Sequence, residues 1–320
     1  MQLMKAAFRD QYCYPDEISI KSLEIPRINP DEILIRVRST TVNRTDCANL
    51  TAKPFIMRFV LGLIRPKKPI LGTDFAGEIV SIGSNIKSFT VGDRVFGFRD
   101  TGIQSQAEYL KCIENHVFKI PEGINFQQAA ASLEGAHYAY TFLHRVKLIP
   151  KQSVMVHGAS GGIGSALIQF LSQYDIKISA TCSSKDVELI KSLGAEVVYD
   201  YTKEDFTKSD CNYDFIFDTV GKSTYGNCKS ILKNNGVYIS SELGPYSQNL
   251  FFSMMSSFFK KKVIFPVPYS KHLTIPFIIK SLQEGSFKPL IDRDYPLEQI
   301  SIAYEFVMSG QKTGNVTISI

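Results

Sequence analysis

The chain has 320 residues, 36 basic and 31 acidic side chains, a formal net charge of +5 and 44% hydrophobic residues. That length is enough for about two domains with a sizeable core. The composition excludes a disordered chain, a collagen-like repeat and a disulfide scaffold. The basic residues are scattered, with Lys260–Lys262 the longest run, so the dense stripe that nucleic-acid binding requires is missing.

The six cysteines, Cys13, Cys47, Cys112, Cys182, Cys211 and Cys228, form no C-x-x-C pair. They read as reduced thiols of a cytoplasmic protein. The N-terminal residues lack the apolar region of a signal peptide. The most apolar stretch, Phe55–Ile64, contains Arg58 and is too short to span a bilayer.

In chain order, the first 125 residues read as β-rich. Ile33–Arg38 alternates apolar and charged residues, the pattern of a half-buried strand. Phe75–Val80, Arg94–Phe98, Glu108–Lys111 and Val117–Ile120 continue the series, separated by glycine-containing turns. Beyond residue 125 the rhythm changes. A helical region, Phe126–Lys147, is broken near Glu134-Gly135. Strands are then expected at Ser153–His157, Lys177–Thr181, Glu196–Tyr199, Phe215–Asp218, Gly236–Ser240 and Lys262–Val267. Helices Ile163–Tyr174, Asp186–Leu193 and one near Ser223–Leu232 fall between them. Alternating strands and helices predict βαβ units around a parallel sheet. The tail returns to mixed character, with helices Leu273–Glu284 and Leu297–Ser309 and a terminal strand Asn315–Ile320.

The strongest local signal is Val154-Met-Val-His-Gly-Ala-Ser-Gly-Gly-Ile-Gly164, placed between an apolar strand and an amphipathic helix. That context makes a dinucleotide fingerprint credible. Ala159 takes the tight-turn slot, Gly161 lets backbone approach a pyrophosphate, and Gly164 allows close helix–strand packing. Ser160, Gly161, Gly162, Ile163 and Gly164 therefore read as phosphate-binding, their amides facing the anion at a helix N-terminus. The second strand ends in Thr181-Cys-Ser-Ser-Lys185, with no acid there to hold a ribose 2′-hydroxyl. Ser183, Ser184 and Lys185 suit a 2′-phosphate instead, and Tyr201 adds a hydroxyl. NADPH (NADP) is thus the expected cofactor. Val220 and Gly221 follow a strand whose carboxyl end borders the ligand in an open parallel sheet.

These residues together resemble the medium-chain dehydrogenase/reductase superfamily, in its zinc-independent quinone oxidoreductase branch. The resemblance spans nearly the whole chain. It rests on Val42-Asn43-Arg-Thr-Asp46, Leu71-Gly-Thr-Asp-Phe-Ala-Gly-Glu-Ile-Val80 and Val91-Gly-Asp-Arg-Val-Phe-Gly97, and then on the glycine turn. Lys191-Ser-Leu-Gly-Ala195, Asp218-Thr-Val-Gly221 and Lys312-Thr-Gly-Asn-Val-Thr-Ile318 complete it. It implies an α/β fold: a GroES-like β-rich catalytic domain plus a Rossmann doubly wound parallel sheet. The expected division is residues 1–125 with 271–320 for the first and 126–270 for the second. It further implies a homodimer through Rossmann edge strands near Lys262–Val267, and a cofactor contact at Asn315.

Zinc members of that superfamily carry Cys and His ligands where this chain has Asn43 and Thr73-Asp74. Phe98–Gln106 is short and cysteine-free where a structural-zinc lobe would stand. No metal is therefore expected, because zinc needs converging N/S ligands. Without a Lewis acid, hydride transfer favours acceptors that delocalise charge themselves: quinones and α,β-unsaturated carbonyls. Asn43, at the family's active-site position, has an amide for a carbonyl oxygen or a ribose hydroxyl. His137, in Glu134-Gly-Ala-His137, reads either as a donor to a developing enolate or as a satisfied core histidine. Phe55–Leu63 reads either as a buried helix or as an apolar flap over the substrate.

Three rival functions remain. A short-chain dehydrogenase would share the glycine turn and a Tyr225–Lys229 pair, but that fold begins with the turn. A zinc alcohol dehydrogenase is the second. The third is a non-catalytic NADPH-binding protein with a redox-sensing or structural role.

Overall fold

A computed structural model of the chain describes residues 2–240, 242, 244, 248–256 and 260–320. The chain forms two compact units. One contains Met1–Glu134 and Pro289–Ile320, the other Gly135–Lys288.

The first unit opens with β1 (Leu3–Phe8) and β2 (Ser19–Glu24), an antiparallel pair. Next come β3 (Glu32–Val42), α1 (Arg44–Thr51), α2 (Met57–Leu61), β4 (Asp74–Ile82) and β5 (Arg94–Phe98). β6 (Tyr109–Ile113), β7 (Phe118–Lys119) and α3 (Phe126–Ala131) complete this pass. Alternation along β3 turns Ile33, Ile35 and Val37 inward, where they meet Phe75, Ile79, Val95 and Leu110 in one apolar cluster. At the end of β3 the alternation stops and Thr40, Thr41 and Val42 are all buried. The strand there gains a second covered face.

The second unit starts within α4 (Glu134–His144). Strands and helices then alternate: β8 (Ser153–His157), α5 (Gly162–Leu171), β9 (Lys177–Cys182), α6 (Val187–Ser192) and β10 (Val197–Asp200). β11 (Tyr213–Asp218), α7 (Tyr225–Cys228), β12 (Leu232–Ser240), α8 (Gln248–Met254), β13 (Lys262–Ile264) and α9 (Lys271–Gln283) follow. The six strands are parallel in the order β10-β9-β8-β11-β12-β13. This is the doubly wound order whose direction reverses between the first and fourth strands, here β8 and β11.

The chain then returns to the first unit through β14 (Ile291–Pro296), α10 (Ile300–Met308) and β15 (Asn315–Ser319). There β14-β15-β3-β4-β5-β7 form one sheet, with β6 also on β3. α10 packs Ile300, Ala303, Tyr304 and Val307 against Val42, Leu50, Val316 and Ile318.

Several boundaries differ from those read in the sequence. α3 lies in the first unit because its Ala129, Ala130 and Ala131 are buried against β3, β4 and β15. Small side chains let that helix sit close to the sheet. Lys271–Gln283 falls in the second unit, not with the tail. Its Pro276 is tolerated inside the helix, which begins five residues earlier behind the Ser270 cap. The helix expected near Ser223–Leu232 shrinks to four residues, since Leu232 already belongs to β12. Phe55–Leu63 is not a buried helix: Phe55, Ile56, Phe59, Val60 and Leu63 are each more than half exposed. Among the described residues, no helix is long and apolar enough to cross a membrane.

Candidate active site

Each unit presents its own polar centre. In the second unit it lies at the carboxyl ends of β8 and β11. Gly158 leaves β8 with φ +84°, so the tight turn falls on Gly158 rather than on Ala159, which is buried. A side chain at Gly158 would collide with Val220, and one at Gly164 with the Gly158 carbonyl and Ala159 Cα. Gly161 differs, because a Cβ there would meet only the Gly158 oxygen, 3.5 Å away. Packing within the protein thus requires glycine at 158 and 164 but not at 161. Gly161 caps α5, and the first N–H groups of any helix lack intrahelical partners. Ser160, Gly161, Gly162 and Ile163 are partly exposed there, so an anion can reach the amides of 162, 163 and 164.

Side chains on neighbouring strands hold this turn. Thr181 Oγ1 accepts from Gly158 N–H (3.1 Å) and pairs with His157 Nδ1 (2.8 Å). Thr219 Oγ1 donates to the carbonyls of His157 (2.9 Å) and Gly158 (3.1 Å). Asp218, fully buried, accepts from the N–H groups of Val220 (3.2 Å) and Gly221 (2.8 Å) and from Tyr238 Oη (2.8 Å). Val220 and Gly221 (φ +66°) are thereby fixed beside the glycine turn.

At the end of β9, Ser183, Ser184 and Lys185 form a short turn, with Ser184 and Lys185 exposed. Ser183 Oγ donates to Asp186 (3.1 Å). Ser184 Oγ donates to Asp200 on β10. Asp200, opposite Cys182 in the parallel register, also accepts from Thr202 (2.6 Å) and pairs with Lys203 (3.1 Å). These hydrogen bonds hold its carboxyl well below the usual range. Sequence reasoning found no acid here because it read along β9. The acid stands beside Cys182 through strand pairing, eighteen residues away in the chain. Tyr201 is 54% exposed next to it.

His137 lies on α4 with its ring 2% exposed and its Nδ1 2.8 Å from Thr274 Oγ1 on α9. Burial pushes its pKa down to about 4, so the ring is neutral at physiological pH. A neutral ring keeps one N–H, so His137 could act as a hydrogen-bond donor but not as an imidazolium acid. Tyr225 of the Tyr225–Lys229 pair is a core residue.

The first unit's centre is built of buried carboxyls. Asn43 ends β3 and caps α1, its N–H donating to Asp46 Oδ2 (2.8 Å). Its side-chain amide donates to Asp74 Oδ2 (2.6 Å) and Thr41 Oγ1 (2.9 Å). Thr41 also donates to Asp74 (2.7 Å), Thr73 to Asp46 (3.1 Å) and Thr45 to Glu134. Burial raises Asp46 to about 7 and Glu134 to about 8, and the Asp46 carboxyl adds to the shift of Glu134. Asp74 is raised well above its ordinary value by burial and by Glu134 and Asp46. Like charges this close in a low-dielectric site cannot all ionise. Lys312, half-buried, is pushed down to about 8 by desolvation. Asp46, Asp74 and Glu134 each keep one oxygen without a hydrogen-bond partner. Each member stands in a separate motif of the sequence, on α1, β4 and α4, and no single motif joins the three. Asn315, at the start of β15 in the same unit, spends its amide on the Leu290 carbonyl (2.9 Å).

Zinc does not fit this donor set. Around Asn43 and Thr73 the donors are an amide, hydroxyls and carboxyls, whereas zinc favours thiolate and imidazole. Among the described residues, no group of three or more His, Cys, Asp or Glu is placed to hold a metal ion.

Comparison with known proteins agrees with this anatomy. Residues 29–151 match the alcohol dehydrogenase GroES-like domain, and residues 193–318 match the family described as zinc-binding dehydrogenase. The chain belongs to the medium-chain dehydrogenase/reductase superfamily, in its quinone oxidoreductase-like branch, and is an oxidoreductase of that type with a nicotinamide-cofactor domain. The 2-methylene-furan-3-one reductase of Solanum lycopersicum is 28% identical, over 98% of this chain and 79% of that one. The quinone oxidoreductase of Homo sapiens is 26% identical, over 97% and 95%. The chloroplastic NADPH-dependent alkenal/one oxidoreductase of Arabidopsis thaliana is 27% identical, over 98% and 79%. Among solved structures, the quinone oxidoreductase from Coxiella burnetii superposes with a TM-score of 0.89 at 23% identity, each chain fully covered. That likeness concerns the fold alone.

Proposed function

We propose that the protein is an NADPH-dependent, zinc-free reductase of quinones or α,β-unsaturated carbonyls. The observation that carries this reading is the glycine turn at the sheet's reversal point, closed to a side chain at Gly158 and Gly164 but open at Gly161. The names of the tomato, human and Arabidopsis relatives support the acceptor class.

The amides of 162–164 hold the pyrophosphate at the start of α5. Lys185 and Tyr201 would hold the 2′-phosphate, Ser183 and Ser184 would join them by turning their hydroxyls from Asp186 and Asp200, and Lys203 answers the charge of Asp200. Val220 and Gly221 border the nicotinamide end. A bound nicotinamide supplies a hydride. Asn43 has committed both amide hydrogens to Thr41 and Asp74. Its remaining oxygen suits a ligand hydroxyl better than a substrate carbonyl. Hydride addition to the β-carbon of an enone leaves an enolate, and solvent returns the proton. The protein chiefly positions the reactants. Six free cysteines, five of them buried, fit a reducing compartment such as the cytoplasm. β13, the sheet's edge strand, is the proposed homodimer seam, because an uncovered edge invites pairing.

The test is NADPH consumption by chelator-treated protein offered a small quinone and a 2-alkenal side by side. Oxidation of NADPH in preference to NADH is expected. Tight NADPH binding with no turnover on either acceptor would move the protein to the non-catalytic, redox-sensing reading.

A further inference from the structure

The first unit contains a cavity of about 190 Å³, separate in its lining from the glycine turn. Its polar wall is formed by Arg9, Lys67, Lys68, Arg99 and Thr101, with Asp46 as the one acid. Among the described residues, none of the four cations enters an ion pair. Arg9 is 95% buried (5% exposed), with Nε lacking any hydrogen-bond partner. Its Nη1 donates to the Asn49 carbonyl. Thr101 Oγ1 is likewise buried and unpartnered. An unsatisfied buried donor is costly, and more so when charged. Lys68 is pushed down to about 8 by burial and then by Arg99, so two like charges have been drawn together with no acid between them. Asp46 Oδ2 is engaged by Asn43 and Thr73, while its Oδ1 has no hydrogen-bond partner and burial raises the carboxyl to about 7, towards its neutral form.

The other wall is apolar and comes partly from Val60 and Leu61 of α2. That helix and its flanks carry Phe55, Ile56, Phe59, Leu63 and Ile64 to the surface. A cationic end beside an exposed apolar shelf is the complement of an amphiphile with an anionic head.

We propose that this cavity is an oxyanion subsite that takes the carboxylate or phosphate of an acceptor whose hydrocarbon chain lies along α2. The acceptor class this implies, a conjugated carbonyl bearing a terminal acid group, rests on the reductase reading; the anion site itself does not.

Calorimetric titration of the full-length protein at low salt with octanoate, octyl phosphate and octanol tests it. At least one anion should bind roughly tenfold more tightly than octanol, about 1.4 kcal/mol, and the tighter of the two identifies the head group. Lys68→Gln and Arg99→Gln should each weaken that anion about fivefold and leave octanol unchanged, as expected for lost charge-assisted contacts. Both variants alter side chains near the surface. The buried Arg9→Gln is read only if it melts like the parent protein. Equal binding of all three probes, insensitivity to both substitutions, or displacement of the anion by NADPH would overturn the proposal. A companion assay compares 2-octenal with its ω-carboxylate analogue as acceptors. Anion binding without reduction of either would sink the reductase reading alone. Reduction of both without anion binding would sink the subsite alone.

Discussion

The second unit's centre and the first unit's centre are made of different material. Around the glycine turn the working parts are backbone: amides at the start of α5, a left-handed Gly158, and space where Gly161 lacks a side chain. Side chains such as Thr181, Thr219 and Asp218 serve mainly to hold that backbone still. Around Asn43 the working parts are ionisable side chains, three buried carboxyls and a half-buried lysine. The first kind of site is damaged by a methyl group that changes no charge. The second is damaged by a charge that changes no shape. That difference teaches which substitutions discriminate ligand binding from folding in each unit.

The largest effect should come from Asn43→Asp. The substitution is nearly isosteric, but it replaces the amide that donates to Asp74 with a fourth carboxyl group. Burying an uncompensated charge costs about 3–5 kcal/mol. A fall in thermal midpoint of several degrees, shrinking at acidic pH, is expected in calorimetry. A variant that melts like the parent at pH 8 would mean the carboxyl cluster is not charge-limited.

Next in size is the contrast between two glycines. Gly164→Ala meets the Gly158 carbonyl and should cost about 1–3 kcal/mol of stability through overpacking. Gly161→Ala has room and should leave the melting curve nearly unchanged. It should nonetheless weaken NADPH binding about tenfold or more, because only a ligand needs that space. Fluorescence titration beside a melting curve reads both. Normal cofactor affinity in Gly161→Ala would remove the pyrophosphate from this turn.

A smaller effect is expected at Lys185, which is exposed and therefore screened by solvent. Lys185→Ala should raise the KM for NADPH about five- to tenfold, the scale of one charge-assisted contact, and leave that for NADH unchanged. An equal loss with both cofactors would point to a structural role. It would also leave Asp200, through its place beside Ser184, as the residue that reads the ribose.

What the sequence revealed follows the same division. Backbone sites depend on glycine spacing and strand–helix alternation, which are local, so the glycine turn's place between β8 and α5 and the parallel sheet were readable, whereas the order of its strands was not. Asp200 was not, because its neighbour Ser184 is reached through the β9–β10 register. The meeting of the carboxyl trio was hidden for the same reason: Asp46, Asp74 and Glu134 come together only after α1, β4 and the start of α4 are packed. His137 looked useful in isolation, and only the packing of α4 on α9 shows its ring tied to Thr274. β1 and β2 escaped notice because Ser19–Glu24 buries no side chain fully, so its alternation is weak. α2 misled by its apolarity, since composition cannot tell a core helix from an exposed shelf.

The smallest effect is a pH dependence that follows from this buried trio. Glu134 ordinarily titrates at 4.5 but is held near 8 in the fold. Its protonated form is the one the interior accepts. The stability this contributes is fully present below about 4.5 and is lost as pH rises through 8. Asp46, raised from 3.8 to about 7, acts in the same direction. Two groups oppose them. His137, lowered from 6.5 to about 4, adds stability that is fully present above 6.5 and lost as pH falls through 4. Lys312, lowered from 10.5 to about 8, adds stability only as pH climbs from 8 towards 10.5. The net profile is therefore a poor readout, and the difference between the protein and Glu134→Gln is the useful one. A glutamine mimics the protonated carboxyl, so the two should melt together near pH 5. Towards pH 9 the variant should melt a few degrees higher, about 2–4 °C for each kcal/mol of ionisation penalty relieved. Curves that stay parallel across that range would mean Glu134 ionises freely in the folded protein, and the strongest contrast between the two units would disappear.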